Sequence, residues 1–356
     1  MTSAESLLLN KVLNDALERK ARDVHLTVGN YPVMRVGGGL VTMTQEQVLT
    51  PDFINRVLES FISETDRELL SERREMTVVY NWADRARFRA QVFYQKGFPA
   101  VSLRLIPQRI PTVKELGLSN VVIETVKKPK GLVLVSGPYN SGRTTTVFGL
   151  LEHINQTASK HILTLETPIE YLLVNNKSII SQREVGKDVP TFVQGLELAE
   201  DEDVEVLAVS QLTEPDQPEA ILQAVASGKL VYVVMNGQTV ISSLESFLSH
   251  FDSSKISWGR EALAESLILA TVQRLLPAVN GGLVLAYEII TATGSVVNNI
   301  KDGNFSQLHN VMSTSRQEGM ITLDRHLVEL VQTGKLTPEE AANAAQDPRV
   351  FQHMIK

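Results

Sequence analysis

Apolar and polar positions in the first third of the chain follow two different periods. Spacing of three or four residues predicts helices over residues 6–21 and 52–71. Alternation between apolar and polar residues predicts short strands around 23–26, 33–36, 77–81, 87–94 and 101–105. Together these elements predict a compact α+β domain over residues 1–106. Two prolines within residues 107–113 predict a linker, because proline fixes its own φ and restricts the residue before it.

From Gly131 onward the pattern changes to apolar strand, turn and helix. Buried strands are predicted over residues 132–136, 161–165, 204–209, 230–235 and 282–290. Short apolar runs separated by helical stretches indicate a mostly parallel sheet covered on both faces, in a core domain over residues 114–291. A helical region is predicted over 292–356, with clear segments at 323–333 and 338–345.

Composition narrows the class of protein. The chain has 356 residues, 43% hydrophobic and 21% charged, which is typical of a globular protein with about two or three domains. Its net charge of −7 argues against a general nucleic-acid surface. It has no cysteine, which excludes disulfides and thiol catalysis. The chain shows neither a signal-peptide pattern nor an apolar run of about 20 residues, so we expect a cytoplasmic protein.

The most informative segment follows the first buried strand of the core. Gly137 and Gly142 stand five positions apart, and hydroxyl residues then lead into a helix. This strand, loop and helix context predicts a P-loop, whose backbone N–H groups and helix N-terminus can bind phosphate. The predicted phosphate-binding residues are Gly137, Pro138, Tyr139, Asn140, Ser141, Gly142, Arg143, Thr144 and Thr145. An ordinary strand-to-helix turn without a ligand is the alternative.

One residue of this loop departs from the P-loop motif. Arg143 stands where the motif has lysine, and its broad planar guanidinium differs from a compact ammonium in how it reaches phosphate. Thr144 stands where a hydroxyl would bind magnesium. Nucleotide binding, as ATP or ADP with Mg²⁺, is therefore a hypothesis that the loop alone does not decide.

Several further segments, in order along the chain, resemble the type IV pilus retraction ATPases (PilT-type) of the secretion ATPase superfamily. ARDVHL at residues 21–26 is similar to that family's ASDLHL, and ARFRAQVF at 86–93 to ARFRVNVF. LTLETPIE at 163–170 resembles the acidic segment LTIEDPIE, SQREV at 181–185 resembles NQREV, and GMITLD at 319–324 resembles GMQTLD. The resemblance covers nearly the whole chain and is carried by several separate motifs.

The resemblance implies an α/β fold, with a small N-terminal α/β (PAS-like) domain, a RecA-like P-loop ATPase core and C-terminal helices. It implies a ring of six subunits, of this chain alone or mixed with an active pilus ATPase, that binds the inner-membrane pilus platform protein from the cytoplasmic side. It also implies roles for particular residues. Glu166 and Glu170 would form the remaining acidic site, and arginines of the N-terminal domain would neutralise phosphate or, alternatively, form ordinary ion pairs: Arg87, Arg89 and Arg104.

The chain departs from that family at positions which phosphoryl transfer needs. Arg143 replaces the P-loop lysine, Thr167 an aspartate and Val209 the catalytic glutamate. The other replaced residues are two arginines (Ala199 and Gln211), a glycine (Ala208), two histidines (Lys229 and Asn236) and the arginine of the retraction segment (Val297).

Two charged residues near these positions could be considered as substitutes. Strand alternation places Glu205 on the same face as Val209 but about 13 Å away, so it is no obvious replacement for the glutamate. Lys229 is interpreted as facing solvent rather than phosphate or a neighbouring subunit.

Three functions follow as hypotheses. The first is a catalytically impaired accessory, regulatory or structural subunit of the pilus motor ring. The second is a working retraction ATPase in which Arg143, Glu166, Glu170 or Lys229 has taken over lost roles. The third is a switch that binds nucleotide without hydrolysing it. Removing one electrostatic stabiliser from an active site lowers its catalytic rate by roughly 10²–10³-fold. The replacement of several such residues therefore favours the first hypothesis, the impaired subunit.

Overall fold

The structure, a computed structural model, describes residues 3–83 and 85–355, with side chains from residue 6 onward. The chain forms two compact units. The N-terminal unit comprises Met1–Arg109 and the short segment Pro168–Leu172, and the core unit comprises Ile110–Thr167 and Leu173–Lys356. The four-part division at residues 106, 113 and 291 stays a prediction.

The strands of the N-terminal unit form one antiparallel sheet. Its order is β3-β2-β1-β6-β5-β4, six strands within the described residues. The strands are β1 (Asp23–Thr27), β2 (Val33–Val36), β3 (Gly39–Thr42), β4 (Glu75–Trp82), β5 (Ala86–Gln95) and β6 (Phe98–Ile106). Strand β3 was not predicted, because its sequence is short, glycine-containing and largely exposed. The other five confirm the predicted strands to within a few residues.

Three helices of this unit are α1 (Ser3–Glu18), α2 (Pro51–Glu59) and α3 (Glu64–Arg73). The prediction of one helix over residues 52–71 was wrong. Ser63 interrupts it, because its hydroxyl accepts a hydrogen bond from the Asp66 N–H at 3.1 Å while the Asp66 carboxylate accepts from the Ser63 N–H at 2.9 Å. This reciprocal cap starts a new helix at Glu64.

The strands of the core unit form a second, mostly parallel sheet in the order β13-β12-β7-β11-β10-β8-β9. Every neighbouring pair is parallel except β12 and β13. The strands are β7 (Gly131–Gly137), β8 (His161–Glu166), β9 (Ile179–Glu184), β10 (Val206–Val209), β11 (Leu230–Asn236), β12 (Leu267–Pro277) and β13 (Leu283–Thr291). The predicted parallel sheet is confirmed, but strands β9 and β12 were missed.

Helices cover both faces of this sheet, as the continuous apolar strands require. The described helices of this unit are α4 (Asn120–Ile123), α5 (Arg143–Thr157), α6 (Phe192–Leu198), α7 (Gln217–Ala226), α8 (Val240–Leu248), α9 (Ile256–Ser266), α10 (Gly294–Asp302), α11 (Leu308–Thr314), α12 (Leu323–Gln332), α13 (Pro338–Ala344) and α14 (Pro348–Ile355). Helix α5 packs on one face through residues such as Val147 and Leu151. Helices α6, α7 and α8 contribute to the core on the other face. In residues 3–83 and 85–355 no helix combines the length and apolar character that crossing a membrane would need.

The buried side chain of His326 on α12 is expected to make the stability of the protein depend on pH. Its Nδ1 accepts a hydrogen bond from the Tyr287 N–H at 2.9 Å, and burial lowers its pKa to about 4. The imidazole is thus neutral in the folded state at pH values where the unfolded chain binds a proton. We expect unfolding free energy to fall by about 2–3 kcal/mol as the pH is lowered from 6.5 towards 4, measured by denaturant unfolding across that range.

The comparison variant is His326→Asn, which keeps an acceptor but does not titrate. Burial raises the pKa of Glu288, which contributes with the opposite sign because protonation of a buried carboxyl stabilises the fold. That contribution is common to both proteins and cancels in their difference. Identical pH dependence in both proteins would contradict the assignment to His326.

Candidate functional site

The phosphate loop connects the carboxyl end of β7, an interior strand of the core sheet, to helix α5. Strand β7 is buried along its whole length and ends at Gly137, and α5 begins at Arg143 with Gly142 as its N-cap. Asn140 and Gly142 adopt left-handed backbone conformations, with φ of 69° and 82°. Asparagine tolerates this region better than most side chains, so the loop keeps its turn there. The first N–H groups of an α-helix have no acceptor within the helix, so the start of α5 is a favourable position for an anion.

Gly137 is the tightest position of the loop. A Cβ there would lie 2.3 Å from the Ser141 Oγ and 2.4 Å from the Gln273 carbonyl oxygen, so no larger residue fits without moving backbone. The Gln273 side chain, on β12, donates to the Ser141 carbonyl at 2.8 Å and fixes the other side of the loop. Gln273 was not predicted as a site residue, because it stands beside Arg274 in a mostly apolar segment that showed no recognisable motif.

Two buried hydroxyls beside the loop have no hydrogen-bond partner among the residues that the structure describes. They are the Oγ atoms of Ser136 and Ser141, whose side chains are nearly completely buried. An unsatisfied buried polar atom costs roughly 1–3 kcal/mol, which is recovered when a ligand or water supplies the partner. The narrow glycine turn, the N-terminus of α5 and these hydroxyls together fit a phosphate group.

The fit to magnesium is poorer. Thr144 lies in the first turn of α5 and is half-buried, where its hydroxyl could contribute one ligand. Magnesium in phosphate sites is also held through carboxylates. The resemblance places Thr167 and Val209 at two positions where the family has acidic residues, and neither side chain can supply a carboxylate.

Arg143, in place of the P-loop lysine, is directed onto the neighbouring strand β11. Its Nη1 donates to the Met235 carbonyl and to the Asn236 Oδ1, both at 2.6 Å. Asn236 stands at one of the two histidine positions, so two departures from the family contact each other. Sequence spacing did not reveal this pair, because its members are 93 residues apart.

Glu166, at the end of β8, is 1% exposed. Its Oε1 accepts hydrogen bonds from the Thr164 hydroxyl at 2.7 Å and from the Gln182 amide at 2.9 Å. The adjacent Thr167 N–H donates to the Ser210 hydroxyl at 3.3 Å. The carboxylate therefore takes part in an internal polar network, and its predicted role in an acidic site stays a prediction.

The second predicted carboxylate lies in the other unit. Glu170 belongs to the segment Pro168–Leu172 of the N-terminal unit, where it pairs with Arg89 at 2.8 Å. Arg87 donates to the Glu170 and Ile169 carbonyls at 2.6 and 3.1 Å. Arg104 pairs with Asp23 at 2.8 Å. The three arginines thus have the ion-pair and hydrogen-bond partners that formed the alternative to phosphate binding.

Val209, which the resemblance places at the position of the catalytic glutamate, lies inside the apolar core. Its register neighbours are Leu165 on β8 and Val233 on β11, and all three side chains are completely buried. Ala199 and Ala208 are buried as well, and Val297 on α10 packs against the same core. Gln211 accepts a hydrogen bond through its carbonyl from the Gln217 side chain at 2.6 Å. No carboxylate comes from these positions.

Of the two charged residues near these positions, Lys229 was misjudged. Glu205 stands immediately before β10, which runs from Val206 to Val209. It lies at the other end of the strand, paired with Lys160 and accepting from the His161 N–H at 3.2 Å. Lys229 is buried rather than solvent-facing, with Nζ 3.3 Å from the Ser227 hydroxyl at the amino end of β11. Both residues therefore lie at the amino ends of their strands, whereas the phosphate loop lies at the carboxyl end of β7.

Comparison with known proteins agrees with this geometry. Residues 2–333 match the profile of the family described as type II/IV secretion system protein. The chain is 30% identical to the type IV pilus retraction ATPase PilT of Pseudomonas aeruginosa, over 96% of this chain and 99% of that one. It is 30% identical to a twitching motility protein of Neisseria gonorrhoeae, over 89% and 84%. A crystal structure of the pilus retraction motor PilT with bound ADP superimposes with a TM-score of 0.84 at 34% identity, covering 97% and 98% of the two chains.

A parallel core sheet, a glycine-bounded loop at its carboxyl edge and a helix after that loop define a RecA-like P-loop ATPase fold preceded by a small α/β domain. The chain belongs to the type II/IV secretion system protein family, and its resemblance to the PilT-type secretion ATPases is confirmed.

Proposed function

We propose that this chain is a subunit of a type IV pilus motor that binds nucleotide but has lost most of its capacity to hydrolyse ATP. The observation that carries the proposal is Val209. A completely buried valine stands at the position of the catalytic glutamate, between Leu165 and Val233. Valine can neither orient water nor accept a proton, and phosphoryl transfer depends on such positioning and charge stabilisation.

Nucleotide binding is supported by the loop itself. The turn at Gly137, the N-terminus of α5 and the unpartnered hydroxyls of Ser136 and Ser141 provide a phosphate-sized cradle. The PilT structure that superimposes on this chain holds ADP. The proposed ligand is therefore ADP or ATP, bound through the residues from Gly137 to Thr145.

The alternative, a working motor with rearranged catalytic groups, is less well supported. Glu166 is engaged with Thr164 and Gln182, and Glu170 with Arg89. Lys229 lies at the opposite edge of the sheet. No substitute for the missing carboxylate stands out among the described residues near the loop.

The proposed setting follows from the resemblance. We propose a six-membered ring, formed by this chain alone or together with an active pilus ATPase, on the cytoplasmic side of the inner membrane. There it would contact the pilus platform protein. Impaired hydrolysis would make the subunit an accessory or regulatory component of that ring.

The test combines two measurements on the full chain. Titration calorimetry with ADP and with ATP, each with and without magnesium, measures binding, and phosphate release measures turnover. PilT of Pseudomonas aeruginosa, assayed in parallel, is the positive control. We expect binding together with phosphate release at least 100-fold slower than that control, since even one lost stabiliser lowers a rate by roughly 10²–10³-fold. Turnover equal to PilT would overturn the proposed impairment, and absent binding would overturn the nucleotide-binding role.

A further inference from the structure

The contact between Arg143 and the end of β11 determines how the guanidinium is held. Its Nη1 carries two hydrogens, and these are directed at the Met235 carbonyl and the Asn236 Oδ1. The Met235 contact is half-buried, whereas the Asn236 side chain is exposed. The Asn236 bond is therefore the one that can break without disturbing the strand.

These acceptors lie beside the phosphate loop. Asn236 is the register partner of Gly137, the first residue of the loop, and the next N–H, of Gly237, donates to the Gly137 carbonyl at 3.3 Å. A guanidinium bound at this end of β11 is thus held at the side of the loop. Arg143 itself is the first residue of α5, so the contact joins the helix that would receive phosphate to the neighbouring strand.

A phosphate would compete for the same donor. Both acceptors in the present contact are uncharged amide oxygens, whereas a phosphate oxygen is negatively charged and also attracts the guanidinium electrostatically. The guanidinium can form a bidentate pair with phosphate oxygens, which a lysine cannot. Replacing the Asn236 Oδ1 by a phosphate oxygen as the acceptor is therefore favourable. Breaking the bond to Asn236 nevertheless reduces the net free energy of nucleotide binding.

We propose that Asn236 is a positioning residue that holds Arg143 on β11 and must release it when the terminal phosphate of a nucleoside diphosphate binds. The inference rests on the proposed nucleotide-binding function and adds to it a competing contact within the site. This contact, the hydrogen bond from Arg143 to Asn236, is called the latch below. Because of the latch, the loop binds nucleotide more weakly than it would if Arg143 were not bonded to Asn236. The two departures from the family, at the lysine and histidine positions, act as one unit.

The experiment measures ADP affinity by calorimetry for the wild type, Asn236→Ala and Arg143→Met. Asn298→Ala, at an exposed position on α10, is the matched control. We expect Asn236→Ala to bind ADP roughly three- to tenfold more tightly, which corresponds to the loss of one competing hydrogen bond. Arg143→Met is expected to bind more weakly than the wild type, and Asn298→Ala equally. Unchanged or weaker binding by Asn236→Ala would overturn the latch.

A second measurement keeps the latch separate from the nucleotide-binding function. Unfolding midpoints without nucleotide are compared for the two single variants and the Asn236→Ala/Arg143→Met double variant. If Arg143 bonds to Asn236, the unfolding midpoint of the double variant should fall by less than the sum of the decreases in the two single variants, because both substitutions remove the same contact. Additive losses would show that the contact is absent. Coupled losses with no ADP binding by either the wild type or Asn236→Ala would instead overturn the nucleotide-binding function and the gating role, leaving a structural contact.

Discussion

Replacing Val209 with glutamate is expected to lower the free energy of unfolding by about 3–5 kcal/mol at pH 7 without restoring ATP hydrolysis. The new carboxyl would lie among side chains that include Leu165 and Val233, which are completely buried and offer no polar partner. Burial raises the pKa of such a carboxyl, so at pH 7 the protein must either bury a charge or keep the group protonated. Denaturant unfolding and phosphate release on the same sample measure both effects.

Val209→Gln is the matched control, since it has the same size without the charge. It is expected to lower the free energy of unfolding by less than Val209→Glu does at pH 7, because overpacking and burial of an unpartnered polar group are common to both variants whereas the charge is not. The folded-state pKa of the introduced glutamate is raised above its unfolded value, so the extra destabilisation of Val209→Glu should grow as pH rises from about 4.5 to 7. A glutamate variant that is as stable as Val209→Gln at pH 7 and gains turnover would show that the site still accepts a catalytic carboxylate.

Gly137→Ala is expected to lower the free energy of unfolding by about 3–4 kcal/mol and to weaken ADP binding by more than tenfold. The added methyl group would lie 2.4 Å from the Gln273 carbonyl oxygen, which is backbone of the adjacent strand β12 and cannot rotate away. It would also lie 2.3 Å from the Ser141 Oγ, so the loop itself would have to shift. Thermal or denaturant unfolding and ADP calorimetry measure the two effects.

Gly294→Ala is the control for the general effect of replacing a glycine. It stands at the start of α10, where an added Cβ would meet nothing within 4 Å. Its stability is expected to stay the same or rise slightly, because alanine favours helix. If Gly137→Ala were as stable as Gly294→Ala and bound ADP normally, the loop would not have the close packing described above.

Much of the fold was predictable because strong local patterns agree with the tertiary arrangement. The five core strands predicted from apolar runs are present, and the loop after β7 was recognised from two glycines and the helix that follows. Strand β12 was missed although it lies next to β7, because Gln273 and Arg274 interrupt its apolar run. The break between α2 and α3 was missed because a local cap at Ser63 outweighs the helical spacing on both sides.

The site was predictable in its positions but not in its contacts. The sequence identified Arg143, Val209 and Asn236 as departures from the family. It could not reveal that Arg143 binds Asn236, since only the pairing of β7 with β11 brings them together. Lys229 was misjudged for the same reason, because a charged residue before a strand gives no sign of being buried by neighbouring elements.

The central claim is that this member of the secretion ATPase family retains a nucleotide cradle and has lost most of its hydrolytic power. The most direct test is phosphate release from ATP by the purified full chain, at saturating nucleotide and with ADP binding measured by calorimetry on the same preparation. We predict saturable binding with turnover at least 100-fold below that of Pseudomonas aeruginosa PilT under the same conditions. Turnover at the rate of that enzyme would contradict the claim, because it would require a catalytic carboxylate other than the one that Val209 replaces.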